Sequence, residues 1–180
     1  MKIHSTPIEG LLVIEPTVFE DERGHFFESY RHDALKKNSF TCEFVQDNES
    51  LSQKDVLRGL HFQRPPYSQD KLVRAVKGSI WDVAVDLRKD SETYGQHFGV
   101  ELSEKNKMSV LVPIGFAHGF VTLEDNTLVN YKCSNYYNKE SEYTLLWNDE
   151  SLGINWKVEH PIMSDKDLRG EAFVTFESMF

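Results

Sequence analysis

Two ionisable side chains lie three residues apart in LRGLHFQ (57–63), a stretch whose leucines and phenylalanine are typical of a β-strand. Arg58 carries a guanidinium, which can bind phosphate oxygens through two parallel hydrogen bonds. His61 carries an imidazole with an ordinary pKa of about 6.5, so it can take up or release a proton near neutral pH. Strict alternation would place the two side chains on opposite faces of the strand. A β-bulge at Gly59 would instead turn both toward one face.

A second histidine lies in PIGFAHG (113–119), where a turn leads into a strand that carries His118. This Pro-x-Gly-x-x-His pattern resembles the second box of the cupin superfamily, whose members are double-sheet barrels. Metal-binding cupins supply a His-x-His pair and a glutamate from their first box, but HFQ (61–63) has Gln63 in place of the second histidine. A mononuclear metal site generally needs three or four protein ligands, so His61 and His118 alone predict a pocket without a metal.

Short strands must position these residues, because brief apolar runs recur along the chain with turn residues such as Pro65-Pro66 between them. This spacing predicts an all-β sandwich or barrel, and the cupin-like box favours a cupin-type double-sheet jelly-roll barrel with a few short helices. RHDALKKN (31–38) is the best helix candidate, and we expect a single domain over residues 1–180. The predicted strands are 11–16, 26–30, 42–47, 56–62, 71–76, 79–87, 97–102, 109–114, 117–123, 127–133 and 144–147.

The alternation of period two is clearest in SIWDVAVDL (79–87). One face carries Trp81, Val83, Val85 and Leu87, and the other carries Ile80, Asp82, Ala84 and Asp86. The sequence leaves open whether Asp82 is simply solvated. In TLVNYKC (127–133) the same alternation groups Tyr131 with Val129 and Cys133, so its hydroxyl shares a face with apolar side chains.

Composition narrows the class of protein. The net charge of −9 speaks against a nucleic-acid partner, since binding a phosphate backbone needs an excess of Lys and Arg. No apolar run approaches the roughly 20 residues that a membrane-spanning helix needs, and no signal-peptide core is present. Cys42 and Cys133 are too few for a disulfide framework. We therefore expect a cytoplasmic, reduced protein that binds neither nucleic acid nor membrane.

Nine blocks, in order and almost end to end, resemble the dTDP-4-dehydrorhamnose 3,5-epimerase family. The resemblance implies a cytoplasmic isomerase of dTDP-L-rhamnose biosynthesis. Such an enzyme inverts carbons 3 and 5 of dTDP-4-dehydro-6-deoxy-D-glucose, a dTDP-linked 4-keto-6-deoxy sugar, and gives dTDP-4-dehydro-L-rhamnose. No cofactor is expected, because the carbonyl of the substrate is the electron sink. The blocks are DERGHFFESY (21–30), FVQDN (44–48), VLRGLHFQ (56–63), KLVRAVKG (71–78), DVAVDLRKDS (82–91), GFAHGF (115–120), YKCSNYY (131–137), LLWND (145–149) and SDKD (164–167).

By this resemblance four residues carry the chemistry. His61 is the base, and Asp167 is the carboxylate that orients it. Tyr131 is the proton donor, and Lys71 stabilises the enolate. Without the resemblance, His61 would be read as a core histidine bonded to a carbonyl, Lys71 as an exposed edge lysine, and SDKD as a solvated loop.

The resemblance also implies the residues that bind the nucleotide sugar. Arg23 and Arg58 are the expected phosphate ligands, and Phe26 and Tyr137 the expected stacking partners of thymine, although a core position suits Phe26 almost equally well. The family forms homodimers in which Arg23 and Glu28 reach into the active site of the neighbour, so composite sites are expected. The further contact positions are Gln46, Asp47, Asn48, His118, Glu142 and Lys166.

Three alternatives remain in view. The closest is a 3-only or 5-only epimerase, or one that acts on a related nucleotide-linked 4-keto-sugar. A non-catalytic cupin-like sugar-binding domain would have no need of a base, an orienting carboxylate and a phenol together. A metal-dependent cupin oxygenase or isomerase has too few candidate ligands.

Overall fold

A computed structural model of the chain describes residues 1–38 and 40–180. These residues form thirteen strands, one short α-helix and three 3₁₀ turns, the latter at Lys139–Ser141, Asp167–Arg169 and Phe173–Thr175. The other elements are β1 (Lys2–Ser5), β2 (Leu12–Glu15), β3 (Phe19–Asp21), β4 (Gly24–Phe26), α1 (His32–Lys36), β5 (Gln46–Ser52), β6 (Leu57–Gln63), β7 (Lys71–Lys77), β8 (Ser79–Asp86), β9 (His97–Ser103), β10 (Ser109–Val112), β11 (Phe116–Thr122), β12 (Thr127–Cys133) and β13 (Glu142–Thr144).

The strands build two antiparallel sheets and a separate hairpin. The six-stranded sheet has the order β1-β2-β10-β7-β12-β5, and the five-stranded sheet has the order β13-β6-β11-β8-β9. Strands β3 and β4 pair only with each other among the described residues. The two main sheets remain separate hydrogen-bonded units, so the chain forms a double sheet rather than a closed barrel. The predicted all-β, cupin-like double-sheet fold is confirmed, and α1 lies within the predicted helix 31–38.

Two of the three core clusters flank the five-stranded sheet, one on each of its faces. Between the sheets, Val73 and Val129 of one sheet pack with Ile80, Ala84 and Phe116 of the other. On the far side of the five-stranded sheet a second cluster is closed by the C-terminal segment, whose buried residues are Leu145, Leu152, Trp156 and Phe176. The last residues of the chain therefore cover the outer face of this sheet.

This double burial explains the pattern of β8. Val83 and Val85 belong to the outer cluster, whereas Ile80 and Ala84 belong to the cluster between the sheets. The two faces predicted from the alternation are confirmed. The solvated interpretation of Asp82 is wrong, because this side chain is buried on the inner face.

Three predicted strands differ most from the observed bounds. The predicted strand 26–30 contributes only Phe26, and the strand predicted at 42–47 begins at Gln46 and runs to Ser52. Phe44 packs with α1 against the outer face of the six-stranded sheet, so the apolar residues there belong to a loop cluster. The strand predicted at 144–147 ends at Thr144, and the next residue, Leu145, forms an isolated bridge with Glu171.

No helix of the described residues is long and apolar enough to cross a membrane.

Candidate active site

A cavity of about 280 Å³ lies between the two sheets. All four predicted catalytic residues line it, and they come from both sheets and from the segment that follows them. The lining residues are Ser50, Arg58, His61, Lys71, His118, Phe120, Tyr131, Glu142, Ser164, Lys166 and Asp167.

A β-bulge in β6 brings Arg58 and His61 into this cavity. His118 of β11 lies opposite His61 and Phe120 lies opposite Arg58, so two residues of β6 face Gly119 alone. The extra residue resets the alternation. Leu57, Leu60 and Phe62 all enter the outer core, while Arg58 and His61 line the cavity.

Gly59 makes this bulge possible. Its φ is +141°, a value that side-chain-bearing residues rarely adopt, and an added Cβ would lie 2.5 Å from the Cα of Gly119. The predicted bulge at Gly59 and the shared direction of Arg58 and His61 are confirmed.

His61 and Asp167 form a hydrogen-bonded pair although they lie 106 residues apart in sequence. His61 Nε2 bonds to Asp167 Oδ1, which leaves Nδ1 as the free nitrogen of the imidazole. The segment before Asp167 is fixed to the start of β6, since the Leu57 N–H donates to the Ile162 carbonyl at 3.0 Å. The carboxylate itself is buried.

Burial lowers the pKa of His61, although the hydrogen bond to Asp167 works in the opposite direction. The positive charges of Lys71 and Lys166 lower it further. The imidazole therefore stays neutral at pH 7 and can accept a proton. Burial would raise the pKa of Asp167, but the hydrogen bonds from His61 and Ser164 outweigh it and lower the pKa. The carboxyl thus stays ionised.

Lys71 and Tyr131 line the cavity from the six-stranded sheet, which faces His61. Lys71 Nζ donates to the carbonyl oxygen of His61 at 3.3 Å. Burial lowers the pKa of Lys71 and raises the pKa of Tyr131. The phenol therefore remains protonated at neutral pH, on the opposite wall of the cavity from His61.

A second histidine–aspartate pair lies on the five-stranded sheet. His118 Nε2 is 2.8 Å from Oδ2 and 3.0 Å from Oδ1 of Asp82. Asp82 is the diagonal neighbour of His118 across β8 and β11, because His118 lies opposite Ala84. Both side chains are buried.

Glu142 connects the cavity with a smaller one of about 150 Å³. It forms an ion pair with Lys166 and accepts a hydrogen bond of 3.0 Å from the Tyr137 hydroxyl. The smaller cavity shares His61, Lys71, Tyr131 and Glu142 with the larger one and adds mainly amide and aromatic side chains. These are Gln46, Asn48, Phe62, Gln63, Gln69, Cys133 and Tyr137.

Four predicted binding residues lie away from both cavities of this chain. Arg23 is paired with Asp21 on the hairpin β3–β4, and Phe26 of the same hairpin is 67% exposed. Glu28 is 3.6 Å from Arg31. Asp47 points to the outer face of the six-stranded sheet, where it forms an ion pair of 2.9 Å with Lys132.

Three residues of the larger cavity were missed by sequence reasoning. Ser164 opens the SDKD block and bonds to Asp167, so the block itself was the available signal. Ser50 lies on the same face of β5 as Asn48, and among the described residues its buried Oγ has no hydrogen-bond partner. Phe120 follows His118 by two residues and therefore shares its face.

The described part of the chain contains no cluster of three or more His, Cys, Asp or Glu side chains suited to a metal ion.

The chain is similar over nearly its whole length to proteins named as sugar epimerases. The family model described as dTDP-4-dehydrorhamnose 3,5-epimerase matches residues 5–174. A protein of that name from Shigella flexneri is 49% identical over 175 residues, which cover 97% of each chain. The crystal structure of one from Elizabethkingia anophelis is 49% identical, with a TM-score of 0.93 and 97% of each chain covered. The crystal structure of a dTDP-6-deoxy-D-glucose-3,5-epimerase from Legionella pneumophila, in complex with dTDP-4-keto-L-rhamnose, is 42% identical. Its TM-score is 0.93, and the match covers 98% of this chain and 94% of that one.

Proposed function

The chain belongs to the dTDP-4-dehydrorhamnose 3,5-epimerase family, and on this premise we propose how its cavity performs the reaction. The protein is an isomerase of dTDP-rhamnose biosynthesis. It inverts carbons 3 and 5 of dTDP-4-dehydro-6-deoxy-D-glucose and yields dTDP-4-dehydro-L-rhamnose. Each inversion removes a proton next to the ketone from one face of the sugar and returns a proton from the other face.

His61 is the base in this proposal. Its Nε2–H is engaged by Asp167, so the lone pair on Nδ1 takes the proton from the carbon beside the ketone. The C–H electron pair moves into the enolate, and the negative charge collects on the former carbonyl oxygen. Lys71 lines the same cavity and provides the positive charge that stabilises this oxygen.

Tyr131 is the acid that returns a proton to one of the two carbons. The observation that carries the proposal is that His61 and Tyr131 line one cavity from facing sheets. The ketone held between them loses a proton to His61 on one face, and the planar enolate that results gains a proton from Tyr131 on the other face, which inverts the carbon. Burial raises the pKa of Tyr131, so the phenol keeps its proton until the enolate forms.

The smaller cavity suits the nucleoside of the substrate. Tyr137 offers an exposed ring for stacking, and Gln46 and Asn48 offer amide groups for a base or sugar. Arg58 lines the larger cavity and supplies a cation for phosphate oxygens. We also propose that residues 1–180 form one domain that acts in the cytoplasm, as the composition predicts.

A homodimer with composite sites is supported by the hairpin β3–β4. This hairpin carries Arg23 but lines no catalytic cavity of its own chain, and its Phe19 and Phe26 are 62% and 67% exposed. A second copy could cover these rings while receiving Arg23 and Glu28 near its own diphosphate site.

Mixing two inactive variants tests the composite site. His61→Ala and Arg23→Ala chains that exchange partners should form mixed dimers with one intact site, restoring about a quarter of the parent activity. Each variant alone should stay nearly inactive. If the mixture gains no activity while mass measurements show mixed dimers, Arg23 serves its own chain and the composite site is wrong.

Turnover in deuterated water tests the assignment of roles. Proton NMR of the product should show deuterium at carbons 3 and 5 with the parent enzyme. Tyr131→Phe should still exchange protons into the solvent, because His61 is intact, but it should fail to invert one of the carbons. Unchanged double inversion by a folded Tyr131→Phe variant would remove the phenol from the mechanism.

A further inference from the structure

Ser164 contacts the catalytic pair from the side opposite His61. Its hydroxyl donates a hydrogen bond of 2.7 Å to Asp167 Oδ2, and the Asp167 N–H donates to Ser164 Oγ at 3.3 Å. The other carboxylate oxygen, Oδ1, is bonded to His61. The two oxygens of Asp167 are thus divided between the imidazole and the hydroxyl.

We propose that Ser164 is a positioning residue of the epimerase, which holds the Asp167 carboxylate with Oδ1 toward His61 and makes that carboxylate less basic. This inference rests on the proposed role of His61 as the base. It extends the pair to a chain of three side chains, Ser164–Asp167–His61, of which only the imidazole acts on the substrate.

The position of Asp167 in the fold explains why such a partner matters. Asp167 begins a 3₁₀ turn of three residues, and the segment before it is joined to the sheet by the bridge between Ile162 and Val56. A carboxylate rotates easily about its last bond, so a short turn alone does not decide which oxygen faces the imidazole. A hydrogen bond to each oxygen fixes both the side chain and its rotation.

The hydroxyl also has an electrostatic effect. It donates to an ionised carboxylate, which stabilises the negative charge and is one of the causes that lower the pKa of Asp167. Without this donor the carboxylate would attract the imidazolium form of His61 more strongly. The imidazole would then take up a proton at a higher pH, and His61 would be unable to act as a base over a wider range of pH.

Other charged or titratable groups also face the pair, and they remain in place when Ser164 is changed. Because parent and variant share all of them, a difference between the two pH profiles reports the hydroxyl. These groups are Arg58 on β6, Lys71 on β7, Asp82 on β8, His118 on β11, Tyr131 on β12, Glu142 on β13 and Lys166 beside Asp167.

The experiment compares Ser164→Ala with the parent enzyme in kcat/KM measured across pH with the dTDP-linked 4-keto-6-deoxy sugar. In Ser164→Ala the acidic limb of the kcat/KM profile, where activity falls as the pH decreases, should move to higher pH by on the order of one unit. At pH values below the acidic limb, kcat should fall on the order of tenfold, with KM little changed. Ser164→Thr keeps the hydroxyl and should restore the position of the limb.

Ser151→Ala is a matched control. Ser151 Oγ bonds to Asp149 in the same way, at 2.5 Å, but lies outside both cavities. This variant should leave the limb unmoved. NMR titration of the His61 imidazole gives the same comparison without turnover. An unmoved limb and an unchanged His61 titration in folded Ser164→Ala would overturn the inference. Activity retained by His61→Ala would instead contradict the proposed role of His61 as the base. A failure of that proposal can therefore be distinguished from a failure of the inference about Ser164.

Discussion

The two histidine–aspartate pairs of this protein have the same chemical groups but are built differently. His118 and Asp82 come from adjacent strands of one sheet, and their side chains are 7% and 1% exposed. His61 and Asp167 join a strand to a distant turn, and their side chains are 26% and 6% exposed. A base must reach its substrate, so the more accessible imidazole suits proton transfer. The less exposed pair, His118 and Asp82, is here called the enclosed pair, and it suits a structural role in the wall of the cavity.

The largest expected difference between the pairs is in proton removal. His61→Ala should reduce the rate of solvent deuterium exchange into the substrate by about 10²- to 10⁴-fold, the usual contribution of a general base. The fold should persist, because the side chain is partly exposed at the cavity. NMR of the substrate in deuterated water measures the exchange, and thermal melting checks the fold.

His160→Ala is the control for this variant, since His160 is exposed and lies outside the cavity. It should exchange deuterium at the parent rate. Near-normal exchange by His61→Ala would show that the more accessible pair is not the base, and the contrast between the pairs would lose its functional meaning.

The second expected difference is in stability. Asp82→Asn should lower the free energy of unfolding by about 1–3 kcal/mol, because it removes a charged hydrogen-bond acceptor from a buried pair. Asp167→Asn should lower it less, since Asp167 lies on a 3₁₀ turn and its partner His61 is more exposed than His118. Denaturant unfolding of the two variants measures this difference.

Activity should rank the same two variants in the opposite order. Asp167→Asn removes the carboxylate that orients His61 and should reduce kcat by about 10- to 100-fold. Asp82→Asn should be the milder of the two once its lower stability is allowed for. If Asp167→Asn were the less stable and more active variant, the assignment of the two pairs would have to be exchanged.

The sequence predicted the enclosed parts of this architecture better than the pairing of distant segments. The alternation in β8 identified both of its faces, because each face packs against a hydrophobic layer. The glycine of LRGLHFQ predicted the bulge that turns Arg58 and His61 into one cavity. Both signals are local, and they depend on geometry that neighbouring residues impose.

Contacts across long separations left no local signal. Nothing in SDKD indicates that Asp167 meets a histidine 106 residues earlier, and only the family resemblance predicted it. Whether Asp82 is solvated was left undecided, because its contact with His118 depends on the register of β8 against β11. That register is set by the whole sheet. Phe44 was assigned to a strand because an aromatic residue that packs a loop onto a sheet looks the same in sequence as a strand residue.

The smallest expected effect is the pH dependence that separates the pairs. Burial lowers the pKa of His61, so the acidic limb of kcat/KM should lie below about pH 6.5, where protonation removes the free lone pair. Because Asp167 opposes this lowering, Asp167→Asn should move the acidic limb to still lower pH. Asp82→Asn should leave it where it is. A limb that follows Asp82 and ignores Asp167 would mean that the titrating base belongs to the enclosed pair.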